Sequence, residues 1–280
     1  GSLGRGAFVD RLLERIDDPA GLAVAVPPSR VDVVELLLRG GYPSIREAGT
    51  RLRTAWLSDY VERLLGVDAR EGGGRLDPLR LAAVLRLIAA NQSGELVKAR
   101  IAQEAALSAA SVTGYLDALD RLYLTEDLHP WAVNLTAREI GRRKVRVGDS
   151  GLAAWLCGAS VGLLKDVVRG GKVFGALLEG FVVGELSAQA GWAEVDYRLY
   201  HYRDRRGLEV DVIIELGDGR VIAVEVKSAA GLTGRHFAGL TDLKRKLGDR
   251  LAAGVVLAPV DEPMRYAEGL WGLPLNTLWE

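Results

Sequence analysis

The sequence predicts an α+β protein of more than one domain, in which a helical amino-terminal region precedes a mixed β-sheet flanked by helices. Two observations support this fold class. Apolar residues recur at helical spacing through the first half of the chain, and strand-like segments lie between residues 197 and 259. The carboxyl-terminal part gives the element order α-β-β-β-α-β, which is typical of a mixed sheet covered by helices.

Residues 1–77 are predicted to form a helical connector. A helix over Val31–Arg39 ends at Gly40-Gly41-Tyr42-Pro43, because glycine stops a helix and Tyr-Pro opens a turn. A longer helix is expected over Ile45–Leu65. The glycine run in Glu71–Gly74 is the best candidate for a linker.

Residues 78–148 show the pattern of three short helices followed by a β-ribbon, which predicts a winged helix-turn-helix. The helices are expected over Leu79–Ala90, Glu95–Ala105 and Ala109–Leu122. Strand-like segments follow at Leu122–Asp127 and Arg142–Val147. The apolar stripes of the first and third helices predict a packed core.

The partner of this second region stays open between DNA and protein. The third helix exposes Asp117 and Asp120, and acidic side chains on a recognition helix repel phosphate. The basic run suits a phosphate backbone, and it equally suits a solvated edge strand protected from aggregation. Its candidate DNA-binding residues are Arg142, Arg143, Lys144 and Arg146.

Residues 149–280 are predicted to form the mixed-sheet domain. Asp149 caps a helix, Gly170-Gly171 is expected to break the chain, and a helix follows over Ala176–Ala190. The predicted strands and final helix are Tyr197–Arg203, Leu208–Glu215, Val221–Lys227, Gly239–Leu247 (helix) and Gly254–Pro259.

The most informative motif is Asp211 followed by Glu225-Val226-Lys227. The turn Gly217-Asp218-Gly219 joins their strands into a hairpin, so Asp211 is expected beside Glu225, with Lys227 on the same face. Two carboxylates suit a hard cation such as Mg²⁺, which polarises a phosphoryl oxygen and activates water. The other interpretation is an ordinary amphipathic strand with an ion pair on one face.

The composition limits the class of protein. The chain has 280 residues, 49% of them hydrophobic, and a net charge of −1, so any nucleic-acid binding must come from local patches. One cysteine, Cys157, excludes an internal disulfide framework and fits a reducing cytoplasm. No apolar run approaches the roughly 18 residues needed to span a bilayer, so we expect no membrane partner. Met264 is the single methionine and the chain starts at Gly1-Ser2, so we expect a carboxyl-terminal fragment of a longer protein.

The chain carries seven short motifs in serial order: Gly40-Gly41-Tyr42-Pro43, Val112-Thr113-Gly114-Tyr115-Leu116-Asp117, Asp149-Ser150-Gly151-Leu152-Ala153, Gly175-Ala176-Leu177-Leu178-Glu179, Tyr202-Arg203, Glu209-Val210-Asp211 and Glu225-Val226-Lys227. In this order they resemble the carboxyl-terminal half of a widespread group of prokaryotic AAA-type ATPases. In that group an ATPase core precedes a domain of unknown function with a winged helix and a module similar to the PD-(D/E)xK nucleases and archaeal Holliday-junction resolvases.

The resemblance covers about residues 36–280 and implies a restriction-endonuclease-like sheet. It assigns Asp211 and Glu225 to the metal, and Lys227 and Glu179 to catalysis, with Glu185 as the competing helix carboxylate. There is no proline before Asp211. The chain has no Gly-x-x-x-x-Gly-Lys-Ser/Thr loop, so we expect no ATP site in it. ATP binding and hydrolysis are expected only in the full-length parent, through the upstream ATPase core.

Two functions therefore stay open: a Mg²⁺-dependent deoxyribonuclease, and a non-catalytic DNA- or protein-binding regulatory module of the ATPase. Candidate phosphate contacts beside the acidic motif are Arg203, Arg205 and Arg206.

Overall fold

The computed structural model describes residues 6–22, 26–71, 76–132 and 141–279. Most of the predicted linker Glu71–Gly74 therefore lies outside the described residues. Within the described part, the α-helices are α1 (Phe8–Glu14), α2 (Arg30–Arg39), α3 (Thr50–Glu71), α4 (Pro78–Ala90), α5 (Lys98–Glu104), α6 (Ala109–Arg121), α7 (Ser150–Leu156), α8 (Val161–Lys165), α9 (Val167–Ala190) and α10 (Ala238–Leu247).

The strands of the described residues form two sheets. They are β1 (Gly94–Glu95), β2 (Thr125–Leu128), β3 (Lys144–Val147), β4 (Tyr197–Arg203), β5 (Glu209–Leu216), β6 (Val221–Val226), β7 (Leu251–Ala258), β8 (Met264–Ala267) and β9 (Leu270–Pro274). The predicted α+β class is confirmed, and the larger sheet is mixed.

The chain divides into two compact units. The first comprises the described residues within Gly1–Val33, Leu128–Gly141 and Phe181–Glu280, and the second those within Val34–Asp127 and Arg142–Gly180. The predicted domain boundaries after residues 77 and 148 both fall inside the second unit.

The first unit is built on a six-stranded sheet of order β4-β5-β6-β7-β9-β8. The first three strands are antiparallel neighbours, whereas β6 with β7 and β7 with β9 are parallel. Helix α10 connects β6 to β7 and packs on the sheet through the buried side chains Leu240 and Leu243. Strands β5 and β6 are buried along nearly their whole length on both faces, which is the pattern of central strands in a sheet covered on both sides.

Helix α1 belongs to this same unit. Its Phe8 amide donates to Gln189 Oε1 at 2.7 Å, and Gln189 Nε2 donates to the Leu278 carbonyl at 2.8 Å. Buried Asp10 accepts the backbone N–H groups of Glu194 and Val195 at 3.0 and 3.1 Å. These hydrogen bonds satisfy buried polar groups, which would reduce the stability of the fold if they had no partner. Helix α1 is therefore an integral part of the first unit.

The second unit contains α4, α5 and α6 with the three-stranded sheet β1-β3-β2. The predicted core stripes are confirmed for most positions. Buried apolar residues are Leu81, Val84, Leu85 and Ile88 in α4 and Val112, Tyr115, Leu116 and Leu119 in α6. Gln92 joins the end of α4 to the sheet, because its side-chain amide bonds both the N–H and the carbonyl of Val147.

A tight backbone contact joins α2 to α7 in the second unit. Gly40 adopts a left-handed φ of 68°, and a Cβ added at Gly151 would lie 3.0 Å from the Gly40 Cα. Half-buried Asp149 accepts the Gly41 N–H at 2.6 Å and the Leu152 N–H at 2.7 Å. The segments around Gly40 and Gly151, which are far apart in sequence, therefore pack closely against each other. Glycine is required at both positions, because a side chain at either would disturb this contact.

Two predictions about elements are wrong. Gly170-Gly171 does not break the chain, because α9 runs unbroken from Val167 to Ala190. The predicted order also lacks β8 and β9, which extend the sheet beyond β7.

The uninterrupted α9 also corrects the expectation about apolar runs. Its 24 residues are long and apolar enough to cross a membrane by length and composition alone. Phe174, Leu178 and Val182 in this helix are completely buried within the protein. Of the apolar window in this helix, 44% is buried within the protein.

Candidate functional site

The candidate site lies where the large sheet divides. The β5–β6 ladder ends at Val212 opposite Val224. Beyond that pair β5 continues beside β4, with Tyr202 opposite Val210, while β6 continues beside β7, with Val226 opposite Leu257. Two strands that part in this way leave backbone groups that side chains must satisfy.

Asp211 and Glu225 fill this fork. The antiparallel register, extended by one residue from Val212 and Val224, places them opposite each other on one face. Asp211 Oδ2 accepts the Val226 N–H at 2.8 Å, and Glu225 Oε2 lies 3.4 Å from the Asp211 N–H. Each carboxylate therefore bonds to the opposite strand, and the two groups are held side by side.

Burial sets the electrostatics of the pair. Asp211 and Glu225 are only 8% and 9% exposed. Burial, and then the neighbouring Asp211 charge, raise the pKa of Glu225 to about 7, against the opposing effect of Lys227. Lys227 forms an ion pair with Glu225 Oε1 and is itself partly exposed. The site thus contains two carboxyl groups and one lysine at the point where β5 and β6 separate.

Two further nitrogen-bearing side chains near Lys227 carried no sequence signal. Arg235 and His236 lie in the short 3₁₀ helix Gly234–Phe237 that follows Lys227 along the chain. Burial, and then the charges of Arg235 and Lys227, lower the pKa of His236, so all three groups lie within electrostatic reach. His236 Nδ1 accepts the Thr233 N–H, which fixes the ring. No residue pattern marks the pair, since their position depends on the turn at Thr233.

Glu179 has a different environment. Its Oε1 accepts a hydrogen bond from Lys144 Nζ at 2.7 Å within the second unit. Lys144 is 7% exposed, so this ion pair is largely removed from solvent. Glu179 would have to leave Lys144 or share its charge before it could serve a metal ion.

The basic run around β3 is also engaged in ion pairs. Arg146 is 4% exposed, pairs with Glu126, and donates to the Gly148 carbonyl at 2.9 Å. Burial lowers its pKa, although Glu126 opposes that shift. Arg143 pairs with Asp127 and Arg142 with Glu95 at 3.7 Å. Phosphate contact by this run would therefore require existing pairs to open.

The arginines of the β4–β5 turn differ among themselves. Arg203 pairs with Glu209 at 2.9 Å. Arg206 pairs with Asp204 at 3.2 Å and with Asp242 at 3.1 Å. Arg205 is exposed and, within the described part of the chain, has no ion pair. It is the turn arginine whose charge is most available to an outside anion.

The donor set limits what the site can hold. Across the described ranges, no group of three or more His, Cys, Asp or Glu side chains is arranged to hold a metal ion. The protein would therefore supply the two carboxylates of Asp211 and Glu225. Oxygen donors of this kind are the ligands that Mg²⁺ and Ca²⁺ prefer.

The fold and this fork define an α+β protein with a buried, paired-carboxylate site. Residues 174–278 match the model of a domain of unknown function, DUF4143, and residues 30–162 match that of a second, DUF8612. The chain is 28% identical over 247 residues to uncharacterized proteins of Mycobacterium bovis and Mycobacterium tuberculosis. These alignments cover 81% of this chain and 54% of each relative, so the chain spans about half the length of the curated relatives it matches. No solved structure matches it.

Proposed function

We propose that the first unit binds a divalent cation, with Mg²⁺ as the candidate, and acts on DNA phosphodiester bonds. The observation that carries this proposal is the fork in which Asp211 and Glu225 are buried side by side. Two carboxylates in such a position repel each other when both are ionised, and a shared cation would neutralise them.

The residues present fit Mg²⁺. This ion keeps several waters and is commonly held through one or two carboxylates, which is what Asp211 and Glu225 supply. When bound, the cation would polarise a phosphoryl oxygen and lower the pKa of a bound water. Lys227, partly exposed beside Glu225, would balance negative charge on the phosphate. Glu179 is left out of the proposed site, because it belongs to the second unit and forms an ion pair with Lys144.

The context of the domain supports a larger parent protein. The domain matched by residues 174–278 is found at the carboxyl terminus of AAA-ATPase-like proteins. We assign ATP binding and hydrolysis to an upstream core of that parent, and a cytoplasmic location to the whole. We further infer that α4–α6 with β1–β3 form a winged helix, and that the six-stranded sheet is nuclease-like. The helix and strand order supports both inferences.

Metal binding is tested with Mn²⁺ as a paramagnetic probe and Mg²⁺ as competitor. The wild-type chain should bind one Mn²⁺, and Asp211→Asn should weaken binding at least tenfold because a charged ligand is lost. Asp218→Asn is the matched control, since Asp218 lies in the turn of the same hairpin, exposed and paired with Arg220. Its affinity should equal that of the wild type. Circular dichroism checks that each variant folds.

Cleavage is then measured on labelled linear and branched DNA with Mg²⁺. A wild-type chain that shows no Mn²⁺ binding beyond that of Asp211→Asn would refute the metal site. Mn²⁺ binding without any cleavage would refute the catalytic part and favour a regulatory role.

The second candidate is a non-catalytic DNA- or protein-binding module of the ATPase. The pairing of Arg142, Arg143, Lys144 and Arg146 with carboxylates favours it, because these side chains already have protein partners. In this alternative the basic run stabilises the second unit, and any DNA contact is made by the β4–β5 turn.

A salt titration against labelled duplex DNA tests whether the partner of this module is DNA or a protein. The slope of log K against log salt is about −0.9 per phosphate neutralised, so Arg205→Ala should make the slope shallower by about one unit. Removing Arg205 and Arg206 together should change it by up to ~2 units. Arg220→Ala is the control, since Arg220 is paired with Asp218 in the next turn. Undetectable binding at low salt would exclude DNA and leave a protein partner.

A further inference from the structure

A cavity of about 370 Å³ lies in the second unit among helices α2, α3, α7 and α8. Its volume falls within the range of pockets that bind small molecules, roughly 300–1,000 Å³. All of its lining residues belong to the second unit, whereas Asp211 and Glu225 belong to the first. The cavity is therefore a feature separate from the proposed metal site.

Two arginines line the cavity from different helices, Arg39 from α2 and Arg53 from α3. In the part of the chain that the structure describes, neither forms an ion pair. Arg53 is half-buried and donates one hydrogen bond, from Nη2 to the Ala48 carbonyl at 2.7 Å. Its Nε is buried without a partner. A guanidinium has five N–H donors, so the protein compensates the charge of Arg53 incompletely.

The remaining wall combines apolar and hydroxyl groups. Leu57 is buried, the indole of Trp155 is half-buried, and the hydroxyl residues Thr50 and Ser160 contribute to the rim. Exposed Glu35 also lines the cavity, and it forms no ion pair with Arg39 or Arg53 among the described residues. Arginines recognise carboxylate and phosphate oxygens in fixed geometry, and tryptophan offers a flat apolar face.

We propose that this cavity binds a small organic anion, in which a carboxylate or phosphate monoester is attached to a planar apolar body. The anionic group lies at Arg39 and Arg53, and the planar body lies against Leu57 and Trp155. The proposal concerns the second unit alone and does not depend on the metal site.

Four small probes separate the contributions of charge and ring: benzoate, phenyl phosphate, benzamide and inorganic phosphate. Binding is measured by saturation-transfer NMR and calorimetry at constant ionic strength. Benzoate or phenyl phosphate should bind, and uncharged benzamide should bind at least tenfold more weakly, because a charge-assisted hydrogen bond is lost. The tighter of the two anions identifies the group that the site prefers. Inorganic phosphate that binds as tightly as phenyl phosphate would indicate an adventitious ion only and overturn the proposal.

Variants locate the binding. Arg53→Met should weaken the better probe at least tenfold, whereas Arg51→Met should leave binding unchanged, since exposed Arg51 lies on α3 outside the cavity lining. Ala159→Leu keeps both arginines and fills part of the cavity, so it should also abolish binding. If Arg53→Met does not fold, Ala159→Leu still tests whether the probe binds in the cavity. Wild-type binding by both variants, or no binding of either anion to the wild-type chain, would overturn the proposal.

Discussion

Glu225 lies in a position where two effects oppose its ionisation. Its side chain is almost fully removed from water, and the carboxylate of Asp211 lies beside it. Both effects raise its pKa from an ordinary value of 4.5 to about 7, while Lys227 acts in the opposite direction. The metal-free protein therefore holds a proton at Glu225 over a range of pH in which an exposed glutamate is charged.

This shift predicts a pH dependence of the free energy of unfolding. Between pH 4.5 and about 7 the folded state binds a proton that the unfolded state releases, so stability falls as pH rises through that window. The loss is expected to reach up to about 3 kcal/mol at 1.36 kcal/mol per pKa unit. Glu225→Gln should remove most of this dependence, because the amide does not ionise.

The measurement is urea denaturation in chelator across this pH range. Exposed Glu262→Gln serves as the control and should retain the wild-type slope. If Glu225→Gln retains that slope as well, another group is responsible. Addition of Mg²⁺ at neutral pH should restore stability to the wild type, since a cation favours the ionised carboxylate.

Sequence reasoning placed Asp211 opposite Glu225 because the turn Gly217-Asp218-Gly219 and the period of two set the register of a hairpin. The local contacts follow from that register, while the metal and catalytic roles stay predictions. The burial of Lys144 and Arg146 had no local signal. Their partners, Glu179 and Glu126, come from other elements, and only tertiary packing selects them.

At the scale of elements, helix α9 shows that a pair of glycines can either interrupt a helix or allow it to pack closely against a neighbour. Gly170-Gly171 has the sequence appearance of a break, yet the helix continues through it. A Cβ added at Gly170 would lie 1.9 Å from the Leu163 carbonyl oxygen, so this glycine permits α9 to approach the end of α8. A Cβ added at Gly171 would meet nothing within 4 Å.

These two neighbouring glycines give a matched pair of variants. Gly171→Ala should raise the free energy of unfolding by about 0.5–1 kcal/mol, because alanine favours a helix and the position is open. Gly170→Ala should lower it by more than that, since the backbone of Leu163 must move. Urea denaturation of both variants measures the difference. Equal effects would show that the Leu163 contact does not restrict this position.

The missed strands have a related cause. β8 is short and mostly exposed, and β9 contains Gly272 and ends at Pro274, so neither shows clear alternation. β9 pairs in parallel with β7, and β8 lies between them in the chain, so no tight turn joins the paired strands. Such pairing is decided by the sheet as a whole, whereas the β4–β5–β6 meander is decided by local turns.

At the scale of the whole molecule, the first unit is assembled from three separate stretches of chain. The sequence suggested a helical connector over residues 1–77, because amphipathic periodicity identifies a helix without identifying its partner. Helix α1 instead bonds to residues near both ends of the sheet-bearing part, through Asp10 to Glu194 and through Arg11 to the Thr277 carbonyl at 2.8 Å. Hydrogen bonds between residues more than 180 positions apart therefore tie α1 to the first unit.

Because α1 is bonded to the first unit, we expect a substitution in α1 to destabilise that unit. Asp10→Ala leaves the backbone N–H groups of Glu194 and Val195 without their acceptor, at an expected cost of about 1–3 kcal/mol. Exposed Asp17→Ala, close by in sequence, should change the free energy of unfolding by no more than about 0.5 kcal/mol.

Amide hydrogen exchange identifies which part of the protein is destabilised by Asp10→Ala. Glu194 and Val195 should lose protection in Asp10→Ala, while the Val147 amide, bonded to Gln92 in the second unit, should keep it. Equal loss at Val147 would mean that the two units open as one, and that α1 supports the whole chain rather than the first unit.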